Sequence, residues 1–267
     1  MPAFAGRVIV VTGASSGIGR AVCVELAAQG PRLVLAARDR TRLEEVAVAC
    51  RARGAEALVV PTDVSSEEAC RALVARTVET FGGLDVLVNN AGRTMWARLD
   101  EMQDLSLYPQ LMQVNYMGCV YATYYALPHL EQRQGRIVVI ASVAGLTGVP
   151  TRTGYAATKH ALFGFFDSLR IELRGSGVTV TMVAPDFVAS EIHRRAMGPD
   201  GRPLGASPIQ EGRIMTAEAC ARMIVNGMAR RKRLVIGSLR ARVGRFVRLV
   251  APAMVDRMAA RAVRQGR

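Results

Sequence analysis

Tyr155 and Lys159 stand four residues apart in a segment patterned as helix, which puts both side chains on one face. A phenol and an ammonium placed this way form an acid/base unit. A phenol ordinarily keeps its proton up to about pH 10, and a neighbouring ammonium stabilises the phenolate and brings that proton within reach at working pH. Such a unit suits hydride transfer to a ketone, which creates an alkoxide in need of a proton. The lysine itself stands out, because only Lys159 and Lys232 are lysines among 35 basic residues. Ser142 follows the apolar run Arg136 to Ala141, where its hydroxyl can donate to a substrate oxygen as charge develops.

A second site type lies near the N-terminus. The run Val8 to Val11 leads into Thr12-Gly13-Ala14-Ser15-Ser16-Gly17-Ile18-Gly19 and then into a helical pattern. Glycines in such a turn let backbone N–H groups close on an anion, and the helix N-terminus adds its positive dipole. The strand–turn–helix context is what turns a glycine trio into a dinucleotide phosphate site. The next apolar run ends Leu35-Ala36-Ala37-Arg38. An acid there would bond an adenosine ribose hydroxyl and repel a 2′-phosphate. Neutral Ala37 followed by Arg38 instead offers a charge-assisted fork to that phosphate, which points to NADP(H). Asp39 argues the other way, but it lies one residue beyond the selective position.

The spacing G-x-x-x-G-x-G resembles that of the short-chain dehydrogenase/reductase family. The likeness runs on through Asp63-Val64, Asn89-Asn90-Ala91-Gly92, Asn115, Ser142 and Tyr155-x-x-x-Lys159 to Pro185, with a general similarity to the membrane-associated hydroxysteroid dehydrogenase-like members. The resemblance implies a catalytic set of Asn115, Ser142, Tyr155 and Lys159, with Asn115 holding a water that links Lys159 to solvent. It implies that Gly13, Ser15, Ser16, Gly17, Ile18, Gly19 and Arg38 bind the cofactor's phosphates. It places Asp63 and Val64 beside the adenine and Asn90, Ala91 and Gly92 along the dinucleotide. Tyr155, Lys159, Pro185, Val188 and Ser190 complete the cofactor site, and no metal is implied. One departure stands out. Where the family usually has Pro-Gly-x-Val-x-Thr, this chain has Pro185-Asp186-Phe187-Val188-Ala189-Ser190. Asp186 adds bulk and charge there, with either backbone restriction or substrate selection as its effect.

The elements that must position these residues alternate. Strands are expected at Arg7–Val11, Leu33–Ala36, Ala57–Val60, Leu84–Val88, Arg136–Ala141 and Val178–Val183. Helices are expected at Ile18–Gln29, Arg42–Arg53, from Ser65 onward, over about Leu107–Leu130 and at Tyr155–Leu173. Continuously apolar strands separated by helices predict an α/β fold: a Rossmann-type doubly wound parallel sheet, covered on both faces. A single catalytic domain is expected over 1–238, with a basic amphipathic helical extension over 239–267. The turn-rich stretch from Gly198 to Pro208 follows the sixth strand, at the crevice end of the sheet, and suits a mobile lid.

The 267 residues carry a net charge of +13, placed very unevenly. From Met228 to Arg267, twelve basic residues stand against one acid, Asp256, so the body is nearly neutral. Within this tail Val243, Phe246, Val247, Val250 and Met254 form a helical apolar stripe, flanked by Arg240, Arg242, Arg245 and Arg248 and bent at Pro252. The stripe fits an anionic membrane surface or packing on the body or a second subunit, and its periodicity is the same for each. Nucleic acid fits poorly, because aromatics are scarce. No apolar run reaches a membrane span, and no signal peptide is apparent. Cys23, Cys50, Cys70, Cys119 and Cys220 are scattered without metal-ligand spacing and read as buried thiols of a cytoplasmic chain. The expected partners are a hydrophobic carbonyl or alcohol substrate and further copies in a homodimer or homotetramer, with peripheral membrane contact through the tail. A rival reading is an NADPH-binding, redox-sensing regulator whose tail binds a protein partner or RNA.

Overall fold

The computed structural model describes residues 3–209 and 214–264. The strands are β1 Val8–Thr12, β2 Arg32–Ala37, β3 Glu56–Pro61, β4 Val86–Asn89, β5 Arg136–Ile140, β6 Thr179–Ala184, β7 Val188–Ala189, β8 Met215–Thr216 and β9 Leu234–Ile236. The helices are α1 Gly17–Ala27, α2 Arg40–Arg51, α3 Glu67–Phe81, α4 Leu107–Met112, α5 Gly118–Gln132, α6 Thr153–Glu172, α7 Ala217–Ala229, α8 Leu239–Val250 and α9 Pro252–Arg264. Seven strands pair in parallel in the order β3-β2-β1-β4-β5-β6-β9, and β7 pairs with β8 apart from them.

The continuous apolar character of the strands has a direct cause. Alternate residues face opposite layers, and both layers are apolar. Ile9, Val11, Leu33, Leu35, Val86 and Val88 pack into one core with residues of α1, α2 and α7. Val10, Val34, Ala36, Leu87, Ile137 and Val139 pack into the other with residues of α3, α5 and α6. All five cysteines are free and buried in these layers. Strand order reverses between β1 and β4, and in a doubly wound sheet that reversal opens a crevice at the strands' carboxyl ends.

Three features differ from the sequence expectation. The helix expected over Leu107–Leu130 is interrupted at Gln113–Met117 by a π-helical turn, a local i→i+5 bonding pattern that residue periodicity does not encode. The helix α7 and the last sheet strand β9 have no counterpart among the expected elements. The Gly198–Pro208 stretch is tied down by backbone hydrogen bonds, Gly198 N–H to Arg202, Leu204 N–H to Ala196 and Gly205 N–H to Arg194, while Gln103 N–H reaches Pro199.

Candidate active site

The glycine turn after β1 is shaped so that only glycine fits. Gly13 has φ +67°, and a Cβ there would lie 2.8 Å from the Ala91 Cα. A Cβ on Gly19 would lie 2.2 Å from the Gly13 carbonyl oxygen and 2.5 Å from Asn90 Nδ2. The turn is stitched to the loop after β4 by Thr12, which the motif reading did not single out. Its Oγ1 accepts from the N–H groups of Asn90 (3.0 Å) and Ala91 (3.1 Å), and Asn90 Nδ2 donates to the Thr12 carbonyl at 2.9 Å. Ser16, the N-cap of α1, makes no side-chain capping bond, so the first-turn N–H groups stay open to an anion.

A cleft of about 1390 Å³ spreads from this turn across the ends of β4, β5 and β6. Single small-molecule sites usually occupy about 300–1,000 Å³, so there is room for a dinucleotide and a second molecule together. Gly13, Ser15, Ser16, Gly17 and Ile18 line it at one end with Arg38, Asp63 and Val64. Asn90, Ala91, Gly92, Pro185, Val188 and Ser190 line it too, and so do Ser142, Tyr155 and Lys159. Gly19 lies behind the wall, buried, where it keeps the turn closed. Asp39 is occupied otherwise: its carboxylate accepts from Arg42 N–H as the N-cap of α2. Burial works to raise the Asp63 carboxyl, but hydrogen bonds from Ser65 and the nearby Arg38 and Arg93 outweigh it and hold the group below its ordinary range.

Tyr155, Lys159 and Ser142 are all nearly buried. Lys159 Nζ donates to the Ile140 carbonyl at 2.9 Å and lies 5.6 Å from the Tyr155 ring centroid. Ser142 Oγ accepts from Ala144 N–H at 3.2 Å, which leaves the hydroxyl proton to donate elsewhere. Asn115 does not line the cleft. Its Oδ1 accepts from Arg93 N–H at 2.7 Å and its Nδ2 donates to the Arg93 carbonyl and to Thr158 Oγ1, so its side chain clamps the loop after β4 from within the π turn.

Comparison with known proteins assigns the family. Residues 7–198 match the short chain dehydrogenase family. The chain belongs to the short-chain dehydrogenase family. It is 38% identical to an 11-beta-hydroxysteroid dehydrogenase A of Sesamum indicum, over 94% of this chain and 74% of that one. A short-chain dehydrogenase/reductase of Burkholderia phymatum, solved in complex with NAD, superposes with a TM-score of 0.84 at 30% identity, covering 95% and 96% of the two chains. An alcohol dehydrogenase of Thermococcus sibiricus, complexed with 5-hydroxy-NADP, gives 0.71 at 27% identity, covering 82% and 89%.

In this short-chain dehydrogenase the departure at Asp186 acquires a physical account. Asp186 Oδ2 accepts from Ser238 Oγ at 2.9 Å and from Arg240 Nη2 at 3.2 Å, while Oδ1 accepts from Phe187 N–H. The carboxylate thereby ties the end of β6 to the start of α8. Arg248 Nη1 adds a bond to the Leu146 carbonyl at 2.5 Å. Fastened this way, α8 and α9 bring Val243, Val247, Met254 and Met258 to the cleft. The Gly198–Pro208 stretch contributes only Pro203 to it, so the cover over the site comes mainly from the C-terminal helices. Most of the stripe still meets solvent, with Phe246 60% and Val250 84% exposed.

Motif reading also missed Arg152, three residues before Tyr155 and so beside it on the same helical turn. It lines the cleft and is 5% exposed, with its Cζ 4.4 Å from the Tyr155 ring centroid. Its spacing from Tyr155 was the available signal, but its burial was not visible in the sequence.

Proposed function

We propose that the chain is an NADP(H)-dependent oxidoreductase that interconverts a carbonyl and a secondary alcohol on a hydrophobic, steroid- or lipid-like molecule. The observation that carries this reading is the meeting of Tyr155, Lys159 and Ser142 in one cleft with the glycine turn. The residues suit a nicotinamide dinucleotide: Gly13 and Gly19 clear room at the open N-terminus of α1, and Arg38 lies at the adenosine end beside neutral Ala37. Bound there, the cofactor supplies the hydride in reduction and takes it back in oxidation.

The protein's part is to hold the substrate oxygen and move the proton. Ser142 donates a hydrogen bond to that oxygen as negative charge develops on it. Tyr155 gives its hydroxyl proton to the alkoxide in reduction and takes it back in oxidation. Lys159 stabilises the negative charge left on the Tyr155 oxygen. Asn115 acts from behind, through the loop it clamps at Arg93. A cleft partly walled by Val243, Val247, Met254 and Met258 supports an apolar substrate, as does the similarity to proteins named hydroxysteroid dehydrogenases.

No helix among the described residues is long and apolar enough to cross a membrane. The exposed stripe of α8 among arginines supports a peripheral lipid contact. The regulator alternative draws no support from these relatives. Tyr155→Phe tests the central reading, because it removes the proton and keeps the ring. Single-turnover hydride transfer from NADPH to a hydrophobic ketone should fall by about 100-fold or more, with NADPH affinity preserved. A near-normal rate would place the proton donor elsewhere.

A further inference from the structure

Arg152 is a buried cation that no carboxylate among the described residues pairs with. Among the described residues its guanidinium makes one hydrogen bond, Nη2 to Thr94 Oγ1 at 2.6 Å, and its buried Nε has no partner. Three aromatic rings surround it instead, with centroids 4.4 Å (Tyr155), 5.5 Å (Trp96) and 5.7 Å (Phe187) from Cζ. Ring faces attract a cation but do not satisfy N–H donors. The acids lining the cleft are engaged elsewhere: Asp39 caps α2, Asp63 holds Ser65, and Asp186 holds Ser238 and Arg240.

Position adds to the imbalance. Arg152 is the N-cap residue of α6, whose first turn contains no acid, so the cation sits at the positive end of a helix dipole. Buried charges in proteins are normally paired. A cation that is buried, unpaired and set at a helix N-terminus is arranged to receive an anion from outside, and the side chain lines the cleft. A planar carboxylate matches the guanidinium fork.

We infer that Arg152 anchors a carboxylate carried by the substrate close to its reacting carbon, so that the preferred substrates are oxo- and hydroxy-carboxylic acids with an apolar chain. The carboxylate meets Arg152, the neighbouring carbonyl oxygen meets Tyr155 and Ser142, and the apolar chain runs toward Val243, Val247 and Met254. The inference rests on the reading of Tyr155 as the proton donor, and it narrows the hydrophobic substrate class to acids.

Trp96 is the sole tryptophan of the chain, and its place beside Arg152 makes its fluorescence a report on binding that needs no turnover. The full-length protein, saturated with NADP, is titrated with decanoate and with 1-decanol. Decanoate should bind about tenfold tighter or more, the usual worth of a charge-assisted bond. Arg152→Gln should erase the preference, and Arg152→Lys should keep part of it. Equal affinities in the native protein, or a preference that survives in Arg152→Gln, would overturn the inference. Should Arg152→Gln fail to fold, the native comparison and Arg152→Lys decide the matter. Turnover of 4-oxodecanoate against its methyl ester separates the two proposals. Reduction of both at equal kcat/KM sinks the anchor and leaves the carbonyl reductase standing. An Arg152-dependent preference for decanoate, with no hydride transfer to either ketone, keeps the anchor and sinks the proposed reaction.

Discussion

Helices α1 and α8 are eleven and twelve residues long, and both border the same cleft, yet opposite physics holds them. α1 buries Gly19, Ala21, Val22, Cys23, Leu26 and Ala27 against the sheet and α7. α8 buries no residue at all. It is attached through polar contacts, Ser238 and Arg240 to Asp186 and Arg248 to Leu146, and its apolar stripe is left largely in solvent. Each such contact at a partly exposed position is worth about 1 kcal/mol or less, whereas a fully buried aliphatic side chain contributes about 1.5–3 kcal/mol. One side of the cleft is therefore a rigid cradle, and the other is a cover that opens at low cost, as the parts of a protein that admit ligands commonly do.

The sharpest way to break this contrast is Gly19→Ala. A single methyl would run into the Gly13 carbonyl and Asn90. The substitution should cost about 1–3 kcal/mol of stability or more, read by thermal denaturation, and should abolish dinucleotide binding. A fully stable variant that binds NADPH normally would show the cradle to be soft. Arg38→Ala tests the cradle's selectivity. The preference for NADPH over NADH in equilibrium titration should shrink by about tenfold, the scale of a charge-assisted contact, and equal cofactor affinities in the native protein would contradict the assignment.

The cover should respond differently. Deleting the chain after Leu239 should leave the melting temperature and NADPH affinity nearly unchanged, because α8 buries nothing and Val255 is the one buried side chain among the described residues of α9, while sedimentation with anionic liposomes is lost. Salt should weaken the native liposome contact, since attraction between surface charges is screened over about 10 Å at 0.1 M. Unfolding of the truncated protein would mean that the tail is part of the core. The smallest effect is expected of Asp186→Ala, which frees the start of α8 and otherwise removes only the local bond from Phe187 N–H. It should raise KM for a hydrophobic ketone by about threefold to tenfold, the worth of one or two such hydrogen bonds, with kcat and NADPH affinity little changed. An unaltered KM would show that Asp186 does not hold the cover.

Much of the cradle is legible in the amino-acid sequence. The glycine spacing, the apolar runs of β1 to β6 and the i, i+4 placement of Tyr155 and Lys159 are local patterns, and local patterns largely decide strand, turn and helix. The alternation of apolar runs with helical stretches is enough to expect a doubly wound sheet, and β3-β2-β1-β4-β5-β6-β9 is that sheet. The short strand β9 is not legible in the same way, since three apolar residues in a basic stretch carry little periodic signal, and α7 just before it was missed as well. The π turn around Asn115 is hidden too, because i→i+4 and i→i+5 bonding draw on the same residues.

Other decisions are made only when distant segments meet. Asp186 finds Ser238 across 52 residues, and nothing near either residue announces the pairing. The stripe of α8 reads the same whether it is buried or bare, and only the folded chain leaves it mostly in solvent. Arg152 is the clearest case. Its residue type and its distance from Tyr155 are written in the sequence, but its isolation is not. Whether a charge is paired depends on every segment that packs around it, so the sequence determined the spacing of Tyr155 and Lys159 and the glycine turn, and the tertiary structure alone decided that the arginine beside them would have no acid partner among the described residues.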